Sequence, residues 1–164
     1  MRQLARIEMT LSQFLALGKP ATAKRVELDL MEVLTNAVSL YQPQAKHLGI
    51  DLHWTGGEPV PMLGDPVSLG HLFVNLIGNA LEAAGPQGVV ELRCDGRIAE
   101  VIDSGAGPPA AIADRLFETF VTGKEQGVGL GLTVAKQAID AHGGTIEWFR
   151  RDGRTVFRVV FATT

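Results

Sequence analysis

A single cysteine, Cys94, stands in the 164 residues. One thiol can build neither an intrachain disulfide framework nor a cysteine-based metal site, so stability has to come from packing. No apolar run approaches the ~18 residues of a membrane span. The chain does not open on a basic segment followed by an apolar core, as a secretory leader would. A cytoplasmic location without membrane contact by this segment is therefore expected, with a membrane-anchored parent left open if the sequence is part of a longer protein. Lysine and arginine form no run, and the net formal charge is −3. Nucleic-acid binding needs clustered cations to meet phosphates, so that class of partner is set aside.

What is present suits one domain of ~100–150 residues plus a short extension. Apolar residues make up 46% of the chain, ordinary for a globular core, while 19 glycines are an excess, with several between Gly123 and Gly131. Glycine is costly inside regular elements, so such a cluster implies backbone that bends or approaches something closely.

Leu4, Ile7, Leu11 and Phe14 are spaced as a helical seam that needs a partner helix or its own domain to pack on. Gly18-Lys19-Pro20 ends it, and residues 19–26 read as a linker. The pattern then predicts a helix from Glu27 to His47, with Leu30, Leu34, Val38 and Tyr41 on one face. Strands follow over Ile50–Trp54 and Val60–Leu63. Asp65-Pro66 starts a helix by capping it and filling a position that needs no N–H; it runs to Ala84. A hairpin over Val89–Arg93 and Ile98–Ile102 turns at Asp95-Gly96. Pro109–Phe117 reads as a short helix and 118–128 as a loop. Leu130–His142 is a helix ended by Gly143-Gly144. A last hairpin, Thr145–Arg150 with Thr155–Phe161, turns at Asp152-Gly153. Local strand pairs separated by helices predict a two-layer α/β sandwich, with a mixed, mostly antiparallel sheet and helices on one face.

Three constellations carry chemistry. His71, Asn75 and Asn79 repeat every four residues and share one stripe of the Asp65 helix, with Glu82 extending it. Amide oxygens suit Mg²⁺ or its bound water, although such a stripe is also an ordinary solvated face. Asp103-Ser104-Gly105-Ala106-Gly107 follows an apolar strand. A carboxylate there can accept from an exocyclic amine while the glycines let backbone pass close to a flat ring; a plain strand-to-turn sequence is the simpler reading. Gly127-Val128-Gly129-Leu130-Gly131-Leu132 leads into a helix, where free N–H groups and the positive end of the helix dipole face phosphates. No strand precedes these glycines, so a Rossmann reading fails, and a GK[ST] ending is absent, so a Walker A reading fails too.

Taken together, these segments resemble the GHKL superfamily of ATPases and kinases. Asn75–Ala80 resembles its N box, Asp103–Gly107 its DxGxG box, Phe117-Glu118-Thr119-Phe120 the F box of histidine kinases, Gly127–Leu132 the GxGLGL box, and His142-Gly143-Gly144 the HGG that follows. The resemblance covers residues 27–162 and implies the Bergerat ATP-binding fold in a catalytic domain spanning 27–164, preceded over 1–18 by the end of a dimerisation helix. It implies that Asp103 binds the adenine amino group, excluding guanine, whose acceptor a carboxylate repels. It further implies that Gly105 and Gly107 shape the adenine side, and that Asn79 with Asn75 holds Mg²⁺. Gly127, Val128, Gly129, Leu130, Gly131 and Leu132 would face the phosphates, and Thr155 would assist Asp103 through a water if it is more than a strand threonine.

Position 75 discriminates within the superfamily. ATPases and anti-sigma serine kinases place a glutamate base there, and asparagine cannot take a proton at neutral pH. Asn75 therefore suits a site that positions ATP for a nucleophile activated elsewhere, as in histidine kinases. The span from Gly107 to Gly127 resembles a short lid, and Phe120-Val121-Thr122-Gly123-Lys124 resembles the F-x-T-x-K of kinases of the nitrogen-regulation type, making Thr122 and Lys124 nucleotide-facing candidates. Glu82 departs from the basic residue many members carry. No His has the context of a phosphoacceptor box, so autophosphorylation of this chain is not expected. The implied partners are a dimerisation domain carrying the acceptor histidine in a homodimeric parent, and the receiver domain of a response regulator. A stand-alone serine kinase or anti-sigma factor, and an inactive ATP-binding module, are the competing readings.

Overall fold

The computed structural model describes residues 25–123 and 129–162. The seam over residues 4–14, and Lys124, Gly127 and Val128, lie outside them.

The elements run β1 (Val26–Asp29), α1 (Leu30–Leu48), β2 (Asp51–His53), β3 (Pro61–Gly64), α2 (Pro66–Ala84), β4 (Val89–Asp95), β5 (Ile98–Asp103), α3 (Gly131–Ala141), β6 (Thr145–Arg151) and β7 (Arg154–Val160). A five-stranded sheet has the order β2-β4-β5-β7-β6, and β1 pairs with β3 in a separate two-stranded sheet. In the large sheet β2–β4 is parallel and the other pairs are antiparallel. The expected α/β sandwich is thus present, with the three helices on one side of a mixed sheet.

Three local expectations are corrected. Residues 27–29 are strand, and the helix begins at Leu30. Asp29 is the reason: its Oδ1 accepts from Met31 N at 3.0 Å and from Val60 N at 2.8 Å, capping α1 and tying it to the chain entering β3. Second, the strands near 51 and 61 do not pair with each other. Gly56 lies at φ +72° and steers the chain away, so β2 joins β4 while β3 joins β1. Third, Pro109–Phe117 forms only a 3₁₀ turn over Ala113–Arg115. Leu116 is drawn into the core, Phe117 meets Phe157 edge-on at 6.4 Å, and Trp148 Nε1 donates to Ala113 O at 3.1 Å. Side-chain anchoring to the sheet wins over helix continuation there.

The core lies between helices and sheet. Leu30, Leu34, Val38 and Tyr41 of α1 are buried, as are Leu69, Leu72, Phe73, Leu76 and Ile77 of α2. A Cβ on Gly78 would stand 2.5 Å from the Tyr41 hydroxyl, so the glycine admits that ring between α1 and α2. Along β5, Ala99 and Val101 point into this core, so Glu100 and Ile102 point to the other face. That face needs no second layer. Ile102 and Val156, register partners, are buried there beside Phe149. The Arg158 guanidinium stacks 4.7 Å from the Phe149 ring centre, and Arg151 and Arg158 both pair with Glu100. Long cationic stems lie over the aliphatic strip while their heads remain in water.

Candidate functional site

Asp103 closes β5, the central strand of the sheet, where it is the register partner of Val90 of β4 and Thr155 of β7. Its side chain is 1% exposed. Oδ1 accepts from Gly105 N at 2.8 Å. Burial pushes the carboxyl above the usual carboxylate range, opposed by the Gly105 N–H, the positive charge of Arg150 and the Thr155 hydroxyl. A buried acid with these donors offers an acceptor to a polar edge arriving from solvent. Gly105 cannot be replaced by a larger residue: a Cβ would stand 2.5 Å from Ala83 O and 2.7 Å from Asp103 Oδ1. The glycine loop therefore leans on the last turn of α2. Gly107, at φ +86°, takes a conformation only glycine adopts easily.

That contact fixes where α2 sits. Asn79 is one turn and Asn75 two turns before Ala83, about 6 and 12 Å back along the helix. Asn75 is buried and its Nδ2 donates to His71 O at 2.8 Å, which sets the roll of the amide and turns Oδ1 away from that carbonyl. Asn79 is half-buried and Glu82 exposed. The Tyr41 hydroxyl has its pKa raised by burial first and by the Glu82 carboxylate second.

The third segment arrives through His142. This buried imidazole accepts from Asp65 N at 3.0 Å through Nε2, and Nδ1 lies 2.6 Å from Ala138 O, so the proton sits on Nδ1. The end of α3 is pinned in this way to the start of α2, and the two helices pack along each other. The 11 residues of α3 span about 16 Å. Measured from the pin, its N-terminus lies level with about residues 76–77 of α2, beside the two asparagines. Leu130 is buried under that turn, and no side-chain hydrogen bond caps it. Val134 N makes the first bond inside the helix, to Leu130 O at 2.9 Å, so the N–H groups of Gly131, Leu132 and Thr133 precede it. Gly129, at φ +70°, accepts from Phe120 N at 3.0 Å, closing the lid segment at its base. Thr122 is half-buried within that segment.

Residues 64–164 match the family of histidine kinase-, DNA gyrase B-, and HSP90-like ATPases. The chain belongs to that family. The ATPase domain is 43% identical over 116 residues to the sensory histidine kinase/phosphatase NtrB of Rhodobacter capsulatus, covering 60% of this chain and 33% of that protein. It is 34% identical over 152 residues to the sensor histidine kinase ZraS of Klebsiella oxytoca, covering 89% and 33%. The chain spans about a third of the length of these relatives. Among solved structures, the catalytic domain of histidine kinase ThkA superposes with a TM-score of 0.75 at 28% identity, over 84% of this chain and 94% of that one. ThkA in complex with the response regulator protein TrrA superposes with a TM-score of 0.78 at 25% identity, over 98% and 48%. The chain carries a catalytic ATPase domain of the sensor-histidine-kinase type, and its family binds ATP.

Asp103, Gly105, Gly107 and Thr155 meet in one corner, Asn75 and Asn79 stand along α2, and Gly129, Leu130, Gly131 and Leu132 lead into α3. Two contributors escaped sequence reasoning. Arg150 Nη1 donates to Gly105 O at 2.6 Å and to Thr155 Oγ1 at 2.7 Å, and Nη2 donates to Gly153 O. Its only sequence signal is its place just before the Asp152-Gly153 turn, which sets it opposite Thr155. His142, expected only as a motif residue, is the pin between two helices.

Proposed function

We propose that this chain binds ATP with Mg²⁺ between Asp103 and the N-terminus of α3, and donates the γ-phosphoryl group to a histidine on a dimerisation domain. In that step the bond between γ-phosphorus and the β,γ-bridging oxygen breaks and a phosphorus–nitrogen bond to the imidazole forms. ADP leaves and the imidazole gives up its ring proton. Residues 1–18 are proposed as the end of a dimerisation helix, 19–26 as a linker and 27–164 as the catalytic unit. The onward acceptor is proposed to be the receiver domain of a response regulator, as the ThkA complex suggests by analogy. A homodimeric, cytoplasm-facing parent fits this arrangement.

The observation that carries the reading is the buried Asp103, held against the end of a helix whose nearest inward polar groups are amides rather than acids. Asn75 cannot act as a base, so the nucleophile must be activated elsewhere. The donor set also fits Mg²⁺. Among the described residues no cluster of three or more His, Cys, Asp or Glu could hold a metal. Mg²⁺ binds through few protein ligands together with substrate phosphates, so the amide oxygens of Asn79 and Asn75 suit a cation that arrives on a triphosphate. When bound, the ion neutralises phosphate charge. Lys124 and Thr122 are proposed to face the same phosphates, with Gly127 and Val128 joining the glycine turn and Glu82 at its rim.

The test mixes this chain and γ-labelled ATP with a separately produced acceptor domain from a relative such as ZraS. Label should pass to the acceptor histidine and stay off this chain. Acid-labile label on a histidine of this chain, or Mg-ATP binding that survives Asp103→Asn unchanged, would overturn the reading. Label on a serine of a partner protein would instead support an anti-sigma-type kinase.

A further inference from the structure

The first turn of α3 holds one group that the nucleotide reading has not used. Thr133 is 6% exposed, and among the described residues its Oγ1 is a buried side-chain oxygen without a hydrogen-bond partner. Such a hydroxyl weakens the fold, because it has lost water and gained no bond in exchange.

Two ordinary accounts of a buried threonine fail here. Inside a helix its hydroxyl commonly bonds a carbonyl three or four residues back. Those carbonyls belong to Leu130 and Gly129, which accept from Val134 N at 2.9 Å and from Phe120 N at 3.0 Å. The hydroxyl bonds neither. Nor does the main core explain its burial. Ala135, Ala138 and Ile139 are the stripe of α3 that joins that core, and Thr133 lies about 200° round the helix from Ala135. Further along its own side, Gln137 and Asp140 are exposed. Thr133 is therefore buried on a face that is otherwise in water. It stands at the end where the chain from Phe120 to Val121 closes on Gly129, so tightly that a Cβ on the glycine would lie 2.7 Å from Phe120 C.

Helix geometry gives the hydroxyl a direction. The Cα–Cβ bond tilts towards the N-terminus, so the side chain of the third residue leans to the open end of α3. At that end the N–H groups of Gly131, Leu132 and Thr133 precede the first bond inside the helix, and no side chain caps them. Three N–H groups and a hydroxyl make a set of donors at the positive end of the helix dipole. Its complement is an anion with several oxygens.

From this geometry, and on the ATP reading of the site, we infer that the Thr133 hydroxyl is a nucleotide contact that donates to a non-bridging phosphate oxygen beside the N–H groups of its own turn. The phosphate-facing set then extends one residue beyond the Gly127–Leu132 box. The hydroxyl weakens the fold without nucleotide and strengthens the complex, so stability and affinity change in opposite senses at one atom. A core threonine would move both in the same sense.

The experiment uses the full 164-residue chain, with calorimetry for Mg-ATP and for adenosine and thermal melting without nucleotide. Thr133→Val keeps the β-branched shape and removes the hydroxyl. It should weaken Mg-ATP by about 3–10-fold, leave adenosine unchanged and raise the melting temperature by about 2–4 °C. Thr133→Ser keeps the hydroxyl and loses a methyl group. It should melt lower and still bind Mg-ATP within about twofold of the unaltered chain. A Thr133→Val protein that melts below the unaltered chain would show that the hydroxyl has a partner within the fold, and would overturn the inference. Equal losses for Mg-ATP and adenosine, or equal losses of Mg-ATP in the Val and Ser variants, would overturn it too. If the unaltered chain bound no Mg-ATP, or Asp103→Asn bound it normally, the nucleotide reading would fall and this inference with it. Normal binding, loss in Asp103→Asn and unchanged Mg-ATP affinity in Thr133→Val would sink the inference alone.

Discussion

The two ends of the proposed nucleotide site are built from different materials. At the Asp103 end two side chains, Asp103 and Thr155, are nearly sealed from water, and the corner is already bonded together: Asp103 to Gly105 N, Arg150 to Thr155 and to the Gly105 carbonyl. At the other end the groups are backbone N–H donors at the start of α3 and two asparagines on α2, with no side chain capping the helix. Reading a base requires fixed donors and acceptors, because one misplaced proton reverses the preference. Holding phosphates requires only density of donors and a favourable dipole, which backbone supplies for any sequence that can start a helix there. Substitutions should therefore act on the first end one atom at a time, and on the second mainly through the placement of α3.

The largest expected effect is at Asp103. Asp103→Asn removes a buried charged acceptor and should weaken ATP by about 1–3 kcal/mol, tenfold or more, read by calorimetry. The same change should not destabilise the unliganded fold. Its carboxyl pKa is raised in the folded protein, chiefly by burial. Between the unfolded and folded values the folded state holds more protons, so stability falls as pH rises through that window and the ionised acid is a net burden at neutral pH. Asparagine lifts that burden. A melting temperature below that of the unaltered chain, measured without nucleotide, would show that Asp103 serves the fold rather than the ligand.

Next in size is the pin. His142→Ala deletes the acceptor of Asp65 N and the donor to Ala138 O inside a packed corner, where Gly64 lies against the ring. Unfolding by denaturant should show a loss of about 1–3 kcal/mol. Because α3 is then free to shift, affinity for Mg-ATP should drop further than affinity for adenosine, which engages the other end alone. Equal losses for both ligands would mean that α3 is placed by its packing and not by the imidazole.

Sequence legibility divides along the same line. Helix α2 was readable to its ends because Asp65-Pro66 and Gly85 are local signals, and the two turns at Asp95-Gly96 and Asp152-Gly153 delimited both hairpins. The start of α1 was misplaced because Leu28 fits a helical stripe as well as a strand, and only the cap at Asp29 separates them. The pairing of β2 with β4 was hidden, since it depends on a contact across 38 residues of chain (Asp51 to Val89) that no neighbouring residue announces. The site motifs stood out in the sequence because glycines and a strand-end acid are constrained by backbone geometry; their phosphate- and purine-facing roles belong to the proposal. Arg150 was not, because its contacts with the Gly105 carbonyl and the Thr155 hydroxyl are made across three strands.

The smallest expected effect tests whether the phosphate end owes anything to side-chain charge on α3. Lys136 pairs with Asp140 one turn later at 2.5 Å, and both side chains are partly exposed. The order, cation before anion, is the weaker one against the helix dipole. Lys136→Ala should cost no more than about 0.5 kcal/mol of stability. It should also leave Mg-ATP affinity unchanged, since the groups proposed to meet phosphate are the N–H donors one turn earlier, which the substitution does not touch. A several-fold loss of affinity that vanishes at high salt would mean that long-range attraction from this helix face gathers the nucleotide. The phosphate end would then depend on particular residues after all, and the contrast with the Asp103 corner would be one of degree.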